Sequence, residues 1–254
     1  MKLQVMGCSG GVGEDLRTTT LLVDEDVLID AGTGLGDLSL EAMASIRHIF
    51  LTHSHLDHVT SIPFLVDTIF DKIKQPIIIY GLAETIDALK KHIFNNIIWP
   101  DFSRLPNAES PVMQYKVMQP GEVTKINQRK IEMIAVNHIV PAVGYRLESA
   151  TGSFAFSGDT TSNDNFWQAL NQHSSLDLLL VESAFSNKEI KLCQLSKHYC
   201  AELLAADLVK LKHDADVYIS HNKPGAEEQI FSECEAAIKS HTLHKLSKNQ
   251  IFTV

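Results

Sequence analysis

The chain has 254 residues, 44% of them apolar and 21% charged, enough length and apolar content for a sizeable α/β core. Twenty-two basic residues against 31 acidic ones give a formal net charge of −9, which argues against the broad basic face that nucleic acid requires. No apolar run is long enough to cross a bilayer, and Cys8, Cys193, Cys200 and Cys234 form no C-x-x-C pair. Neither a disulfide framework nor a thiolate zinc site is expected, and a reducing cytoplasm is the default compartment.

The opening "KLQVM" reads as a first strand. The "VMGC" that follows looks like a lipoprotein cleavage site, but the apolar stretch before it is too short for a secretory signal. "TTTLLVD" (18–24) and "DVLIDA" (26–31) continue as short strands separated by Gly-rich or acidic turns, a β-meander. The intervening "GCSGGVG" lacks the Lys-Ser/Thr of a phosphate loop and leads into a strand, so a tight turn is the better reading. "SIRHIFLT" (45–52) is a buried strand, "VTSIPFLVDTIFDKI" (59–73) has helical spacing, "QPIIIYG" (75–81) is a strand and "AETIDALKKHIFNN" (83–96) an amphipathic helix.

Residues 96–115, with three prolines and three aromatics, read as a long irregular loop. Trp99 and Phe102 are candidates there for stacking on a base, against packing or an oligomer contact; the apolar 96–102 stretch also suggests a homodimer. Strands follow at 130–136, 142–149, 153–158, 176–183 and 216–220, with helices near "NDNFWQALNQ" (163–172) and from about Ser196 to Lys212. Strands alternate with helices in both halves and no linker intervenes, so one layered α/β domain over residues 1–254 is expected.

The residues placed immediately after the strands are the informative ones. "THSHLDH" (52–58) carries His53, His55, Asp57 and His58; His138, Asp159 and His221 follow three later strands. Ligands bind at the carboxyl rim of open α/β sheets, and neutral imidazoles with carboxylates are donors for zinc, iron or manganese. Seven such groups exceed one tetrahedral ion, whereas two divalent ions sharing a carboxylate account for all of them, with zinc the first expectation. A His-rich polar loop is the bland alternative. His48, His92, His173, His213, His241 and His244 are left as ordinary hydrogen-bonding histidines.

With "LIDAGTG" (28–34), "SGDT" (157–160) and "SHNKP" (220–224) added, nearly the whole chain resembles the metallo-β-lactamase fold hydrolases. That resemblance implies a four-layer αββα sandwich. It also implies one metal at His53, His55 and His138, a second at Asp57, His58 and His221, a bridging Asp159, and Asp30 behind them holding a ligating histidine. Within that superfamily residues 80–106, "SHNKP" and "GCSGGVGEDLRTT" are similar to class II cyclic nucleotide phosphodiesterases. "HIVPAVGY" (138–145) and "SGDT" are shared with ribonuclease Z. "HVTS" stands where a glycine commonly follows the histidine cluster.

The expected activity is hydrolysis of 3′,5′-cyclic nucleotides, cAMP or cGMP, to 5′-monophosphates by a metal-bridging hydroxide held by Asp57 and Asp159. His198 is the expected proton donor, at a helix start capped by Ser196, with Glu182 orienting it; the alternative is a partly exposed helix-terminal histidine. The partner expected is a small cyclic nucleotide, with neither membrane nor nucleic acid. The rival readings are a ribonuclease Z-like transfer-RNA 3′-processing phosphodiesterase and a di-iron ligand or oxygen sensor, with lactone or thioester hydrolysis open because the metal core does not choose between carbon and phosphorus.

Overall fold

The computed structural model describes all 254 residues. Its first half runs β1 (Lys2–Gly7), β2 (Thr20–Val23), β3 (Val27–Ile29), α1 (Leu40–Ser45), β4 (His48–Phe50), α2 (Leu56–Val59), α3 (Ile62–Thr68), β5 (Ile77–Gly81), α4 (Ala83–His92) and β6 (Met113–Val117). The second runs β7 (Val123–Ile126), β8 (Arg129–Ala135), β9 (Val143–Glu148), β10 (Ser153–Phe156), α5 (Asn165–Leu170), β11 (Leu178–Glu182), α6 (Ile190–Ser196), α7 (Ala201–Leu208), β12 (Asp216–Ser220), α8 (Glu227–Ala237), β13 (Leu243–Lys245) and β14 (Ile251–Thr253).

Each half builds a seven-stranded sheet with the same logic. β1, β2 and β3 pair antiparallel as the meander predicts, then β4, β5 and β6 add in parallel through helical crossovers. β7 to β10 repeat the antiparallel run, and β11, β12 and β13 the parallel one. β14 returns from the C-terminus to pair antiparallel with β1.

The period-2 alternation of the strands makes the four layers. Leu21, Val23, Val27 and Ile29 point into a core between the sheets, while their neighbours Leu22 and Leu28 face Ile62, Leu65, Val66, Ile86 and Leu89 of the outer helices. In the second sheet Leu178 and Leu180 face the inter-sheet core, and Leu179 and Val181 pack on Phe166, Trp167, Leu204 and Ile230. Each such fully buried side chain contributes about 1.5–3 kcal/mol of transfer free energy. The result is an αββα sandwich, as the resemblance implied.

Where β4 ends, main-chain and side-chain bonds stitch the sheets together. Tyr145 Oη donates to the Leu51 carbonyl at 2.8 Å, and the Val143 amide donates to the Thr52 carbonyl at 3.0 Å. Phe50 stacks on Tyr80 with centroids 4.2 Å apart and meets Tyr145 edge-on at 5.7 Å.

Four expectations change. The 59–73 helix is broken into α2, α3 and a 3-10 turn at Phe70–Lys72, because α2 stops at Val59 and Pro63, lacking an amide proton, starts α3. The 96–115 loop ends in β6, whose residues Met113–Val117 pair with β5; its alternation was masked by the preceding prolines. Phe102 packs inward, buried against Phe70 and Phe94, and is not free to stack on a base, while half-buried Trp99 lies edge-on to exposed Phe64. The helix expected from about Ser196 to Lys212 is shorter, α7 over Ala201–Leu208, and Ser196 is instead the last residue of a separate helix, α6. Ser196 is therefore a helix end and not a cap for His198.

Gly158 joins β10 to Asp159 with φ +59°, and a Cβ there would lie 2.8 Å from the Val143 carbonyl oxygen and 3.1 Å from Thr52 Cβ. Gly158→Ala should lower stability by roughly 1–3 kcal/mol, read as a lower urea midpoint at unchanged m-value. Gly36→Ala, where a Cβ meets nothing within 4 Å, should be close to neutral.

Candidate metal centre

Strand ends from both sheets meet at the seam. β3 leads to Asp30, β4 to Thr52 and the histidine cluster, β8 to His138, β10 to Asp159, β11 ends on Glu182 and β12 leads to His221. Asp30 and His221 both take left-handed backbone, φ +57° and +58°, a sparsely populated region for such residues that costs about 1–3 kcal/mol each and turns the chain as the strand ends.

The structure brings the sequence-predicted residues together in two sets. The ligand-type atoms of His53, His55, His138 and Asp159 lie within 4.8 Å of one another, and so do those of Asp57, His58, Asp159 and His221. Asp159 belongs to both: its Oδ2 is 3.7 Å from His53 Nε2 and 3.3 Å from both His58 Nε2 and His221 Nε2. Asp57 Oδ2 stands 3.6 Å from His58 Nε2 and 4.0 Å from His221 Nε2. Asp57 and His55 are half-buried and form the open side, whereas His53, His58, Asp159 and His221 are buried.

The donor chemistry fits divalent cations. His53 Nε2, His58 Nε2 and Asp159 Oδ1 are buried and have no hydrogen-bond partner, an expensive arrangement unless a cation takes their lone pairs. The opposite nitrogens of three imidazoles are tied down, which orients the free ones. His138 Nδ1 donates to the Lys197 carbonyl at 2.9 Å, His58 Nδ1 to Asp30 Oδ2 at 2.7 Å, and His53 Nδ1 sits 3.0 Å from Thr52 Oγ1.

The charges match that role. Burial pushes His138 down to about 4 and His221 to about 3, so both imidazoles are neutral with lone pairs available at neutral pH. Burial also works against charge on His58, but Asp159 and Asp30 outweigh it and raise its pKa well above the ordinary value. Burial opposes ionisation of Asp159 as well, yet His221 and His58 hold it well below the usual carboxylate range.

His198 lies beside the two sets, its ring 4.9 Å from His138 and stacked 5.4 Å from His221, centroid to centroid. Its position differs from expectation in one respect. It occupies the connection between α6 and α7, Cys200 is the N-cap of α7, and no helix N-terminus lies under the imidazole. Instead Lys197 turns the chain through φ +53°, the His198 amide closes on the Cys193 carbonyl, and Nδ1 meets Glu182 Oε1 at 2.6 Å. Fully buried Glu182 also accepts from the amides of Thr160, Ala184 and Tyr199. Burial opposes charge on His198, but Glu182 outweighs it and raises the histidine's pKa.

Of the histidines set aside as ordinary, His173 bonds Glu132 at 2.7 Å, His213 the Leu170 carbonyl and His241 the His213 carbonyl, all away from the seam. A concavity of about 770 Å³ lies at the other end of the strands among Asp24, Asp26, Arg47 and Arg129 and contains none of the clustered groups. Sequence reasoning gave no role to Thr52 or to the Lys197 carbonyl. A hydroxyl residue at a strand end beside a ligand-type histidine was a readable signal for the first; no side-chain pattern marks the second.

Residues 38–143 match the family model described as cAMP phosphodiesterases class-II. The chain is 36% identical over 86 residues to 3′,5′-cyclic-nucleotide phosphodiesterase 1 of Saccharomyces cerevisiae, covering 34% of this chain but 22% of that protein. It is 26% identical over 274 residues to a probable 3′,5′-cyclic-nucleotide phosphodiesterase of Yersinia pestis, covering 88% of this chain and 78% of that one. Ribonuclease Z of Pyrococcus abyssi is 32% identical over 138 residues, 51% of this chain and 41% of that one. Unliganded yeast PDE1 superposes with a TM-score of 0.82 over 98% of both chains at 19% identity. The metallo-β-lactamase fold protein YhfI of Bacillus subtilis does so with a TM-score of 0.78 over 99% of this chain and 98% of that one at 16% identity. The fold is that of the metallo-β-lactamases, and the sequence relatives are phosphodiesterases, as the motifs led one to expect.

A cation that binds only the folded chain stabilises it by about 2.7 kcal/mol at a free concentration ~100 times its Kd. Zinc or manganese should therefore raise the melting temperature of chelator-treated protein. Because the raised pKa of His58 means a proton must leave as a cation enters, that gain should grow from mildly acid to neutral pH. Differential scanning calorimetry across pH, with proton release followed in weak buffer, checks both the size and the sign.

Proposed function

We propose that this metallo-β-lactamase-fold protein, similar over residues 38–143 to class-II cyclic nucleotide phosphodiesterases, opens the ring of 3′,5′-cyclic nucleotides to give 5′-monophosphates. The observation that carries the proposal is a carboxylate, Asp159, shared by two imidazole–carboxylate sets, with the His198–Glu182 pair packed against them. His53, His55 and His138 would hold one divalent cation, Asp57, His58 and His221 the other, and Asp159 both. Zinc suits the nitrogen-rich donor set, and iron or manganese fit the same atoms. When bound, such ions supply Lewis acidity to phosphoryl oxygens and make water a nucleophile at neutral pH.

The chain's own groups do the rest. Half-buried Asp57 and buried Asp159 would hold the attacking water between them as it approaches phosphorus. As the P–O3′ bond breaks, the leaving 3′ oxygen needs a proton. His198 is the group placed to donate it: Nδ1 is committed to Glu182, so Nε2 faces the reaction. Glu182 is held by three amides and keeps the imidazolium stable until the proton moves, which makes it a positioning residue. Burial of the ring, 7% exposed, slows proton exchange with bulk water. The acidic surface, net charge −9, and the absence of a Lys/Arg-rich insertion favour a small nucleotide over a long polynucleotide as substrate.

Metal-loaded protein incubated with cAMP, cGMP and a precursor transfer RNA should convert a cyclic nucleotide to its 5′-monophosphate, read by chromatography. Cleavage of the RNA with both cyclic nucleotides untouched would assign the site to the ribonuclease Z reaction instead. His198→Ala should retain two metal equivalents by mass spectrometry while kcat falls about 10²-fold or more, the scale of a lost general acid. Unchanged kcat would remove His198 from the mechanism.

A further inference from the structure

We infer that Thr52 is a positioning residue through which one buried carboxylate, Asp30, orients an imidazole in each of the two donor sets. The bonding around it leaves little freedom. The Thr52 amide donates to Asp30 Oδ1 at 2.8 Å, and its hydroxyl donates to Asp30 Oδ2 at 2.8 Å. A hydroxyl has one proton, so towards His53 Nδ1, 3.0 Å away, Thr52 Oγ1 acts as acceptor. His53 is thereby held as the Nδ1–H tautomer, which leaves its lone pair on the buried, unpartnered Nε2. Asp30 Oδ2 accepts from His58 Nδ1 at 2.7 Å and does the same for the second set directly.

The carboxylate thus reaches His58 without an intermediary and His53 only through the Thr52 hydroxyl. Asp30 has no solvent exposure, and these donors are the compensation its charge has. Thr52 is itself immobilised. Its carbonyl accepts from Val143 of the second sheet at 3.0 Å, and its Cβ lies against Gly158, one residue before Asp159. One residue therefore touches the segments bearing His53, His58 and Asp159 and the backbone of the opposite sheet. Serine keeps the hydroxyl, whereas valine keeps the shape and removes the bonds to Asp30 and His53 together with a longer 3.4 Å contact to His58 Nδ1, which keeps its own 2.7 Å bond to Asp30.

The inference rests on the two-cation reading, and the test separates the two. Full-length wild type, Thr52→Val and Thr52→Ser are stripped with chelator and titrated with zinc against a competing chromophoric chelator. The ring nitrogens are read by ¹⁵N NMR of histidine-labelled protein. Wild type is expected to bind two equivalents with His53 as the Nδ1–H tautomer. Thr52→Val should weaken one equivalent 10–100-fold, the usual effect of losing an outer hydrogen bond to a ligating histidine, and leave the other within a few-fold. Its His53 signals should show mixed tautomers, and Thr52→Ser should restore both readouts. Two wild-type-like equivalents in Thr52→Val, or equal weakening of both, would overturn the inference, and so would an unchanged His53 tautomer. A wild type that binds fewer than two equivalents would instead sink the two-cation reading, with the His53 tautomer still reporting on Thr52.

Discussion

Three carboxylates, Asp30, Asp159 and Glu182, are buried at the seam of two sheets, and the arrangement around them follows from the cost of that burial. An ion moved out of water loses several kcal/mol even after relaxation, so each must be met by donors or opposite charge. Asp30 is met by Thr52 and His58, Glu182 by three amides and His198, and Asp159 by three imidazoles. The first two are satisfied within the protein. Asp159 is different, since its Oδ1 and the imidazole nitrogens around it lack partners, which marks it as the point prepared for cations. The polar network thus sorts itself by satisfaction: completed bonds hold, incomplete ones bind.

The fold makes this affordable by placing the network where two apolar slabs end. Between the sheets Phe50, Tyr80 and Tyr145 close the core just beneath β4, and the Tyr145–Leu51 and Val143–Thr52 bonds lock the sheets at that level. Asp30, Thr52, His53, His138, Asp159, Glu182 and His221 above that plane come from strand ends or the turns after them, whereas Asp57 and His58 sit on α2 and His198 between α6 and α7. Strand ends are rigidly anchored on one side and free on the other, so they hold side chains accurately without filling the space in front of them. The open side lies at half-buried Asp57 and His55.

The division of labour proposed between the cations and His198 rests on position. The two donor sets share one carboxylate and face the same point, which suits attack on phosphorus. His198 is fixed from the outer side by Glu182 and has one nitrogen left, which suits departure of the alkoxide.

What the sequence determined by itself was local and periodic. Short apolar runs such as "TTLLVD" and "LDLLLVES" revealed the sandwich strands, and the positions of His53, His138, Asp159 and His221 just after such runs revealed the rim. Residues 52–58 placed four donors within one turn, so proximity there needed no long-range information. Other features were decided only by tertiary contacts. The break between α6 and α7 depends on Lys197 adopting a left-handed turn so that its carbonyl reaches His138, and no helix propensity records that. β6 is a strand because β5 offers a parallel edge to it, although its own sequence is half-exposed and follows a proline-rich loop. Thr52 acquires its role only when β3 brings Asp30 alongside β4. Hydrophobic period is a property of a segment and can be read there, whereas a hydrogen-bond partner across the fold exists only once the chain has closed.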